Sequence, residues 1–254
     1  MVKKILSILL WVATAAGLIL LFIFARENYL EAPVNDIRLI PESDSGFVRR
    51  NELRYEIGGF CSHHSIGTVN MVAIQRFLDD NPWIESNASF IDMDGTLTVS
   101  FKEYKPKFRV FAKNGRSAYV THDGKVVPTC SNYTPYVLIA SGNFVIDNDS
   151  STFQLNDTLD RDRNLLDALY WCDVIERNPF ISSCVGQLYC NRHDQFELTL
   201  RGLEARVIVG DTCLAADKLK RLEIFMKQRI DKPETHTLKS INLNYKNQIV
   251  CTKR

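Results

Sequence analysis

Neither sign of charge is in excess in this sequence: lysine and arginine number 31 against 30 acidic residues. Without a basic field to gather phosphates, nucleic acid is not an expected partner. The chain also lacks the apolar-poor, charge-rich composition of disordered segments, since 45% of it is hydrophobic and 24% charged, so most of it can bury a core. Paired metal-ligand spacing is missing too. Cys61, His63 and His64 form one small group with no second cluster at ligand distance, which argues against a zinc site. The seven cysteines (61, 130, 172, 184, 190, 213 and 251) set out no disulfide framework. An odd number leaves one over, and most occupy positions where a small apolar residue would serve, so they read as buried thiols. A length of 254 residues admits one or two domains, and boundaries must come from the pattern along the chain.

The strongest local feature is an apolar run from Ile5 to Phe24, long enough as a helix to cross about 30 Å of hydrocarbon. Lys3 and Lys4 precede it, while Arg26 behind it is offset by Glu27 and Glu31. The positive-inside bias therefore leaves residues 1–4 in the cytoplasm, makes 5–24 the transmembrane helix and exports the rest. Ala13 to Gly17 would suit a cleaved signal peptide, but cutting there strands Leu18 to Phe24 as an exposed apolar tail. The run also exceeds the usual signal core of about 7–15 residues.

Ala25 to Pro33 reads as a linker. Val34 to Ile40 then reads as a strand ended by Pro41 and the polar Glu42 to Gly46. Phe47, Leu53 and Ile57 recur at helical spacing until Gly58-Gly59 interrupts. A second helix covers Met71 to Asp80 with Val72, Phe77 and Leu78 on its apolar face, and stops at Asn81-Pro82, where asparagine suits a left-handed terminus and proline cannot continue. Trp83 to Ile91 and Leu97 to Phe101 flank Asp94-Gly95 as a hairpin. The order β-α-α-β-β makes residues 34–105 a small domain.

From 106 to 254 the pattern changes to a mixed, mostly antiparallel β domain with helices, giving an α+β chain overall. Strands are predicted at Phe108–Phe111, Ser117–Thr121, Lys125–Val127 and Tyr136–Ala140, with Asp123-Gly124 as a turn. A helix from Asp162 to Arg177 ends at Asn178-Pro179 by the same stop chemistry. Strands follow at Val185–Cys190, Phe196–Leu200 and Ala205–Val209, then an amphipathic helix from Leu214 to Ile230. Ile241, Leu243 and Tyr245 alternate as a strand, and Ile249 to Cys251 resume it after Lys246-Asn247.

Two aspartates suggest chemistry. Phe90-Ile91-Asp92-Met93-Asp94-Gly95-Thr96-Leu97 looks like the first motif of haloacid-dehalogenase-type phosphatases, in which one aspartate attacks phosphorus and the other is acid and base. Val209-Gly210-Asp211 with Asp217 resembles their late magnesium motif. That fold needs strands and helices to alternate after the first motif so that both aspartates gather at one end of a parallel sheet. Lys102 to Ile146 instead reads as consecutive strands, which favours a plain Asp-Gly turn and no enzyme.

The order of pieces resembles the FtsQ/DivIB cell-division family, in particular its Bacteroidetes form, over nearly the whole chain. Asn81-Pro82-Trp83-Ile84 and Glu103-Tyr104-Lys105-Pro106 look like the helix stop and E-x-x-P junction of that family's POTRA module. Tyr119-Val120-Thr121-His122-Asp123-Gly124-Lys125-Val126 is similar to the hairpin opening its β domain. Asn178-Pro179-Phe180-Ile181, Lys218-Leu219-Lys220-Arg221-Leu222 and the run Ile241 to Val250 continue the likeness. The resemblance implies a non-enzymatic scaffold of the cytoplasmic (inner) membrane without cofactor or metal. It would bind FtsB/DivIC-like and FtsL-like partners and other division membrane proteins from its periplasmic bulk. It also implies that Leu243, Asn244, Tyr245, Lys246, Gln248, Ile249 and Val250 meet the FtsB-like partner, by strand addition to an exposed edge. Leu243-Asn244-Tyr245 carries asparagine where the family's L-R-Y signature has arginine, and Lys246 is the nearest substitute charge. An anchored POTRA protein of envelope assembly or transport would share the first domain, but would continue into repeated modules or a membrane barrel.

Overall fold

The computed structural model describes residues 2–43, 46–146, 152–229 and 232–254. The chain divides into two compact units, Met1–Glu103 and Tyr104–Arg254.

In the first unit, α1 spans Val2–Glu31, and its Leu9–Glu31 portion is long and apolar enough to cross a membrane. Leu9 through Phe24 turn their side chains outward, away from any protein core. The stretch read as a linker is helical to Glu31, because nothing before Pro33 breaks the ladder. The end of α1 is tied down: the Tyr29 hydroxyl donates to the Asp92 carbonyl at 2.9 Å, and the Leu30 carbonyl accepts from Gly67 N–H at 2.8 Å. A Cβ at Gly67 would lie 3.1 Å from that same carbonyl, so glycine permits the approach.

Next come β1 (Asp36–Pro41), α2 (Arg50–Cys61), α3 (Met71–Asp79), β2 (Ile84–Ile91) and β3 (Thr96–Glu103). The polar stretch read between β1 and α2 includes Asp44 and Ser45, which lie outside the described residues. The sheet order is β1-β3-β2, with β1 parallel to β3 and β2 antiparallel to it. Leu97, Val99 and Phe101 of β3 close on Leu53 and Ile57 of α2 and Ile74 and Leu78 of α3. Gly58-Gly59 does not interrupt α2. A helical glycine costs only about 1 kcal/mol against alanine, and the turn beyond is held by Phe60, whose ring lies 5.5 Å from Phe77. Val72, expected on the apolar face of α3, is exposed, and Ile74 takes its place. Asn81 is not left-handed; its side-chain oxygen instead accepts from Trp83 N–H at 3.1 Å. Phe47 precedes the helix and is buried, its N–H donating to the buried Glu103 carboxylate at 2.8 Å.

The second unit holds β4 (Pro106–Ala112), β5 (Ser117–Thr121), β6 (Lys125–Pro128), β7 (Leu138–Gly142), β8 (Phe153–Gln154), α4 (Asp160–Glu176), α5 (Pro179–Cys184), β9 (Val185–Cys190), β10 (Phe196–Leu200), β11 (Arg206–Gly210), α6 (Ala215–Arg229), α7 (Pro233–His236), β12 (Leu238–Asn242) and β13 (Val250–Lys253). One sheet carries them in the order β13-β12-β11-β10-β9-β7-β4-β5-β6-β8. Its neighbours are antiparallel except at β4–β7, β7–β9 and β11–β12. One face meets α4, α5 and α6 through a continuous core that includes Phe108, Val110, Ala140, Leu188, Leu198, Val207 and Ile241 against Leu165, Trp171, Leu219 and Leu222.

Three short elements, β8, α5 and α7, escape periodicity because none is long enough to show a period. Asn178 again works otherwise than as a left-handed stop: at φ −113° it caps α5, its side chain accepting from Ile181 N–H at 3.1 Å, with Pro179 in the first turn where its missing N–H costs nothing. Leu214, just before α6, does take a left-handed φ of 53°. Ile230, read as the end of that helix, lies outside the described residues. Only Cys172 and Cys190 are buried thiols. Cys61, Cys130 and Cys184 are half-buried, and Cys213 and Cys251 are exposed.

Candidate partner-binding edge

β13 is the edge strand, antiparallel to β12 with Ser240 opposite Thr252 and Asn242 opposite Val250. The register slips between Leu238 and Ser240, placing the extra residue, Lys239, on β12 and leaving β13 regular. Arg254 N–H donates inward to the Thr237 carbonyl at 3.1 Å. Because successive residues of a strand point their backbone groups to opposite sides, Thr252 and Val250 also face β12. Cys251 and Lys253 then turn N–H and C=O outward. That row can extend the sheet by another strand, and β13 is exposed throughout.

The alternation expected through Ile241, Leu243 and Tyr245 stops early, since β12 ends at Asn242 and residues 243–249 form a turn. Leu243 is fully buried, its N–H bonded to the Ile208 carbonyl at 2.9 Å, so its side chain belongs to the core and not to the surface. Tyr245 is 53% exposed; Asn244, Lys246 and Gln248 are exposed, Ile249 half-buried and Val250 exposed. Asn247 takes the left-handed φ of 57° that reverses the chain.

Arg221 of α6 pins this turn. Its Nη1 donates to the carbonyls of Tyr245 at 2.9 Å and Gln248 at 2.6 Å, its Nη2 to that of Leu243 at 3.1 Å, and its Nε to Asp217 at 3.0 Å. One guanidinium thus satisfies three carbonyls that no ladder could reach, a use of the fixed five-donor fork that lysine cannot reproduce. The sequence places Arg221 within a family-like motif without giving it a role; the available clue was Asp217 one helical turn before it. Asn244 lies against the sheet: a Cβ at Gly210, φ +70°, would fall 2.1 Å from the Asn244 Oδ1, so the side chain rests on bare backbone. Ile224, Phe225, Arg229, Ile249 and Cys251 line a shallow groove between α6 and β13. Burial in it pushes the Cys251 thiol pKa up, with Arg229 opposing.

Each aspartate of the two phosphatase-like motifs has a local structural partner. Asp92 and Asp94 lie in the β2–β3 hairpin turn, where Gly95 has φ +81°. Asp92 accepts from the Thr98 hydroxyl at 2.7 Å and Asp94 from Thr96 N–H at 2.9 Å. That backbone hydrogen bond holds the Asp94 carboxyl below the usual range, far from the pKa a neutral-pH acid needs. Asp211 and Asp217 belong to the other unit and are taken by cations: Lys218 holds Asp211 at 2.9 Å, also depressing its pKa, and Arg221 holds Asp217. Among the described residues His122, Asp173 and Glu176 come within 4.8 Å of one another. Lys107 already bridges the two acids, 2.8 Å from Asp173 and hydrogen-bonded to Glu176. Burial alone would lower the Lys107 pKa, yet the two carboxylates hold it raised.

No curated protein matches the chain. The family described as FtsQ/DivIB, C-terminal related, matches residues 105–252, which takes in the ten-stranded sheet, the Arg221 turn and most of the edge strand. The chain therefore belongs to the FtsQ/DivIB family of cell-division proteins.

Proposed function

We propose that this division protein is a non-enzymatic, single-pass scaffold of the inner membrane, with residues 1–4 cytoplasmic and the bulk periplasmic. It offers β13 to an FtsB/DivIC-like partner as a strand template, with an FtsL-like protein beside it. Residues 34–105 act as the POTRA-like domain and 106–254 as the partner-binding β domain. The observation that carries this reading is the outward row of backbone groups on β13, regular and uncovered, beside a turn locked by Arg221. Strand addition draws affinity from such groups and specificity from the pockets that flank them, here the α6 groove.

Deleting Gln248–Arg254 from the full chain tests it. Capture of the FtsB/DivIC-like partner should be lost while membrane insertion and the thermal unfolding of the remainder persist. Unchanged affinity in a folded truncated protein would move the partner elsewhere, and phosphatase activity lost in Asp92→Asn would overturn the scaffold reading altogether.

A further inference from the structure

α1 runs without a break from the apolar run into the folded part of the first unit, so the bilayer around the helix sets the height of that unit. The run ends at Phe24 and is followed by the charged Arg26 and Glu27, which places the edge of the hydrocarbon near Phe24. Tyr29 stands further along the same helix, about 7.5 Å up the axis at ~1.5 Å per residue. The headgroup layer on each side of a bilayer is about 5–7 Å thick, so Tyr29 lies at its outer limit.

One turn of the domain is brought down to that layer. A helical side chain leans toward the N-terminus of its helix, here toward the hydrocarbon, and from there the Tyr29 hydroxyl donates to the Asp92 carbonyl at 2.9 Å. Asp92 opens the tight β2–β3 turn, which Gly95 N–H closes on the same carbonyl at 3.0 Å. The turn cannot swing away from α1, because the chain leaving the helix grips its other side. The Asn35 side chain donates to the Asp94 carbonyl at 2.6 Å, and the Asn35 backbone N–H donates to the Gly95 carbonyl at 2.9 Å. Tilting α1 by about 20° moves a point ~10 Å off its axis by only about 3 Å, so the turn stays at headgroup height. At its tip stands Met93, 98% exposed, a flexible apolar side chain held out from the protein.

We infer that the β2–β3 turn docks on the lipid surface at the Phe24 end of α1, with Met93 entering the boundary between headgroups and acyl chains. The inference rests on α1 spanning the membrane as proposed above. The occupant is lipid because the turn continues, through Tyr29 and Asn35, the surface that a bilayer covers along the outward-facing Leu18, Leu21 and Phe22. Apolar groups at such a boundary sit about 5–10 Å deep, within reach of a side chain that starts in the headgroup layer. The flanking acids do not oppose this. Asp92 accepts from the Thr98 hydroxyl and lies 4.0 Å from Arg38; Asp94 stands where the ammonium of a zwitterionic lipid is its counter-charge. α1 and the turn then touch one membrane at two points, which orients the first unit as well as tethering it.

The full chain is reconstituted in vesicles of phosphatidylethanolamine and phosphatidylcholine, and tryptophan emission is quenched by lipids carrying a nitroxide either near the head end or at the middle of the acyl chain. Trp11, inside the apolar run and 74% exposed, reports on α1 itself and should be quenched by the mid-chain label. Met93→Trp should add emission that the head-end label quenches at least about twofold more strongly than the mid-chain label. Asp80→Trp carries the same ring between α3 and the start of β2, at the opposite end of that strand from the turn, and should add emission that neither label quenches. Both positions are exposed, so both variants should keep parental thermal unfolding. If neither label quenches Met93→Trp, or if Asp80→Trp is quenched as strongly, the docking is overturned while Trp11 keeps α1 in the bilayer. If the mid-chain label leaves Trp11 unquenched, the transmembrane reading falls and the docking falls with it.

Discussion

Proline at two adjacent positions of β13 separates strand addition from every side-chain account of partner binding. At Thr252 the N–H faces β12, so Thr252→Pro removes a ladder bond and drives the ring into the neighbouring strand, at about 3 kcal/mol or more. β13 is a four-residue exposed edge, so that loss should fray the strand and unpin Arg254 from Thr237 without melting the core. At Cys251 the N–H faces outward. Cys251→Pro should change stability by less than about 1 kcal/mol, since no internal bond is lost and an extended strand tolerates the fixed φ at an edge. It strips the added strand of one donor and leaves a partner carbonyl unpaired, about 1–3 kcal/mol of binding, or roughly 5- to 150-fold in affinity. The assay pairs thermal unfolding of the full chain in detergent with titration of the exported segment of the FtsB/DivIC-like partner. If Cys251→Pro folds normally and binds with parental affinity, the backbone of β13 is not the template. Cys251→Ala serves as the control that only the thiol has changed.

Other perturbations probe the scaffold beneath the edge. Arg221→Met should lose about 2–3 kcal/mol from three charge-assisted bonds and speed hydrogen exchange at Gln248 and Leu243; parental exchange there would deny the pin. Gly142→Ala should be among the most damaging single changes, because its Cβ would sit 2.0 Å from the Cys190 carbonyl at φ +114°; a melting temperature within a few degrees of the parent would refute that geometry. Burial pushes the Cys190 thiol up to about 12 from 9.0. The folded state thus holds that proton more tightly, and its contribution is complete below pH ~9 and lost as pH climbs toward 12. Cys190→Ala should flatten that alkaline loss in a pH series of melting curves. A reporter fused after Arg254 should be active only outside the cytoplasm; cytoplasmic activity would reverse the orientation drawn from Lys3 and Lys4.

The parts of this fold that could be read from sequence are those where one local rule acts alone. The Asp94-Gly95 and Asp123-Gly124 turns were legible because a positive φ demands glycine, and β3 because Leu97, Val99 and Phe101 alternate toward one buried face. The helix through Gly58-Gly59 was not, because Phe60 packing on Phe77 outweighs a local propensity that points the other way. Both asparagine stops stand where the sequence puts them, but for a different reason: Asn81 and Asn178 act through their side-chain oxygens rather than through a left-handed backbone. At the candidate edge, period two predicted Tyr245 as a strand residue, whereas Arg221, distant in sequence, bends that stretch into a turn. No window along the chain contains that information.

The turn gives Asn244 a seat of its own. Asn244 rests on Gly210, whose missing Cβ makes the room, and its N–H is held by the Asn242 side chain at 3.0 Å. A longer side chain at that position would have to leave this seat, so Asn244 and Gly210 form a local pair that fixes where the turn departs from β12. The edge is then pre-organised by groups on its own side. Arg221 holds three carbonyls, Asn247 supplies the left-handed reversal, and Arg254 closes the far end on Thr237 and on Glu204, to which it is paired. Fixing a residue's backbone costs about 1–2 kcal/mol, and a partner strand meeting an ordered template is spared that cost on this side. Positive charge near the incoming strand comes from Lys246 in the turn and Lys253 on the edge itself. Lysine on an exposed edge strand also guards against pairing between identical edges, since two copies would bring like charges together. These lysines therefore discourage self-association of the edge.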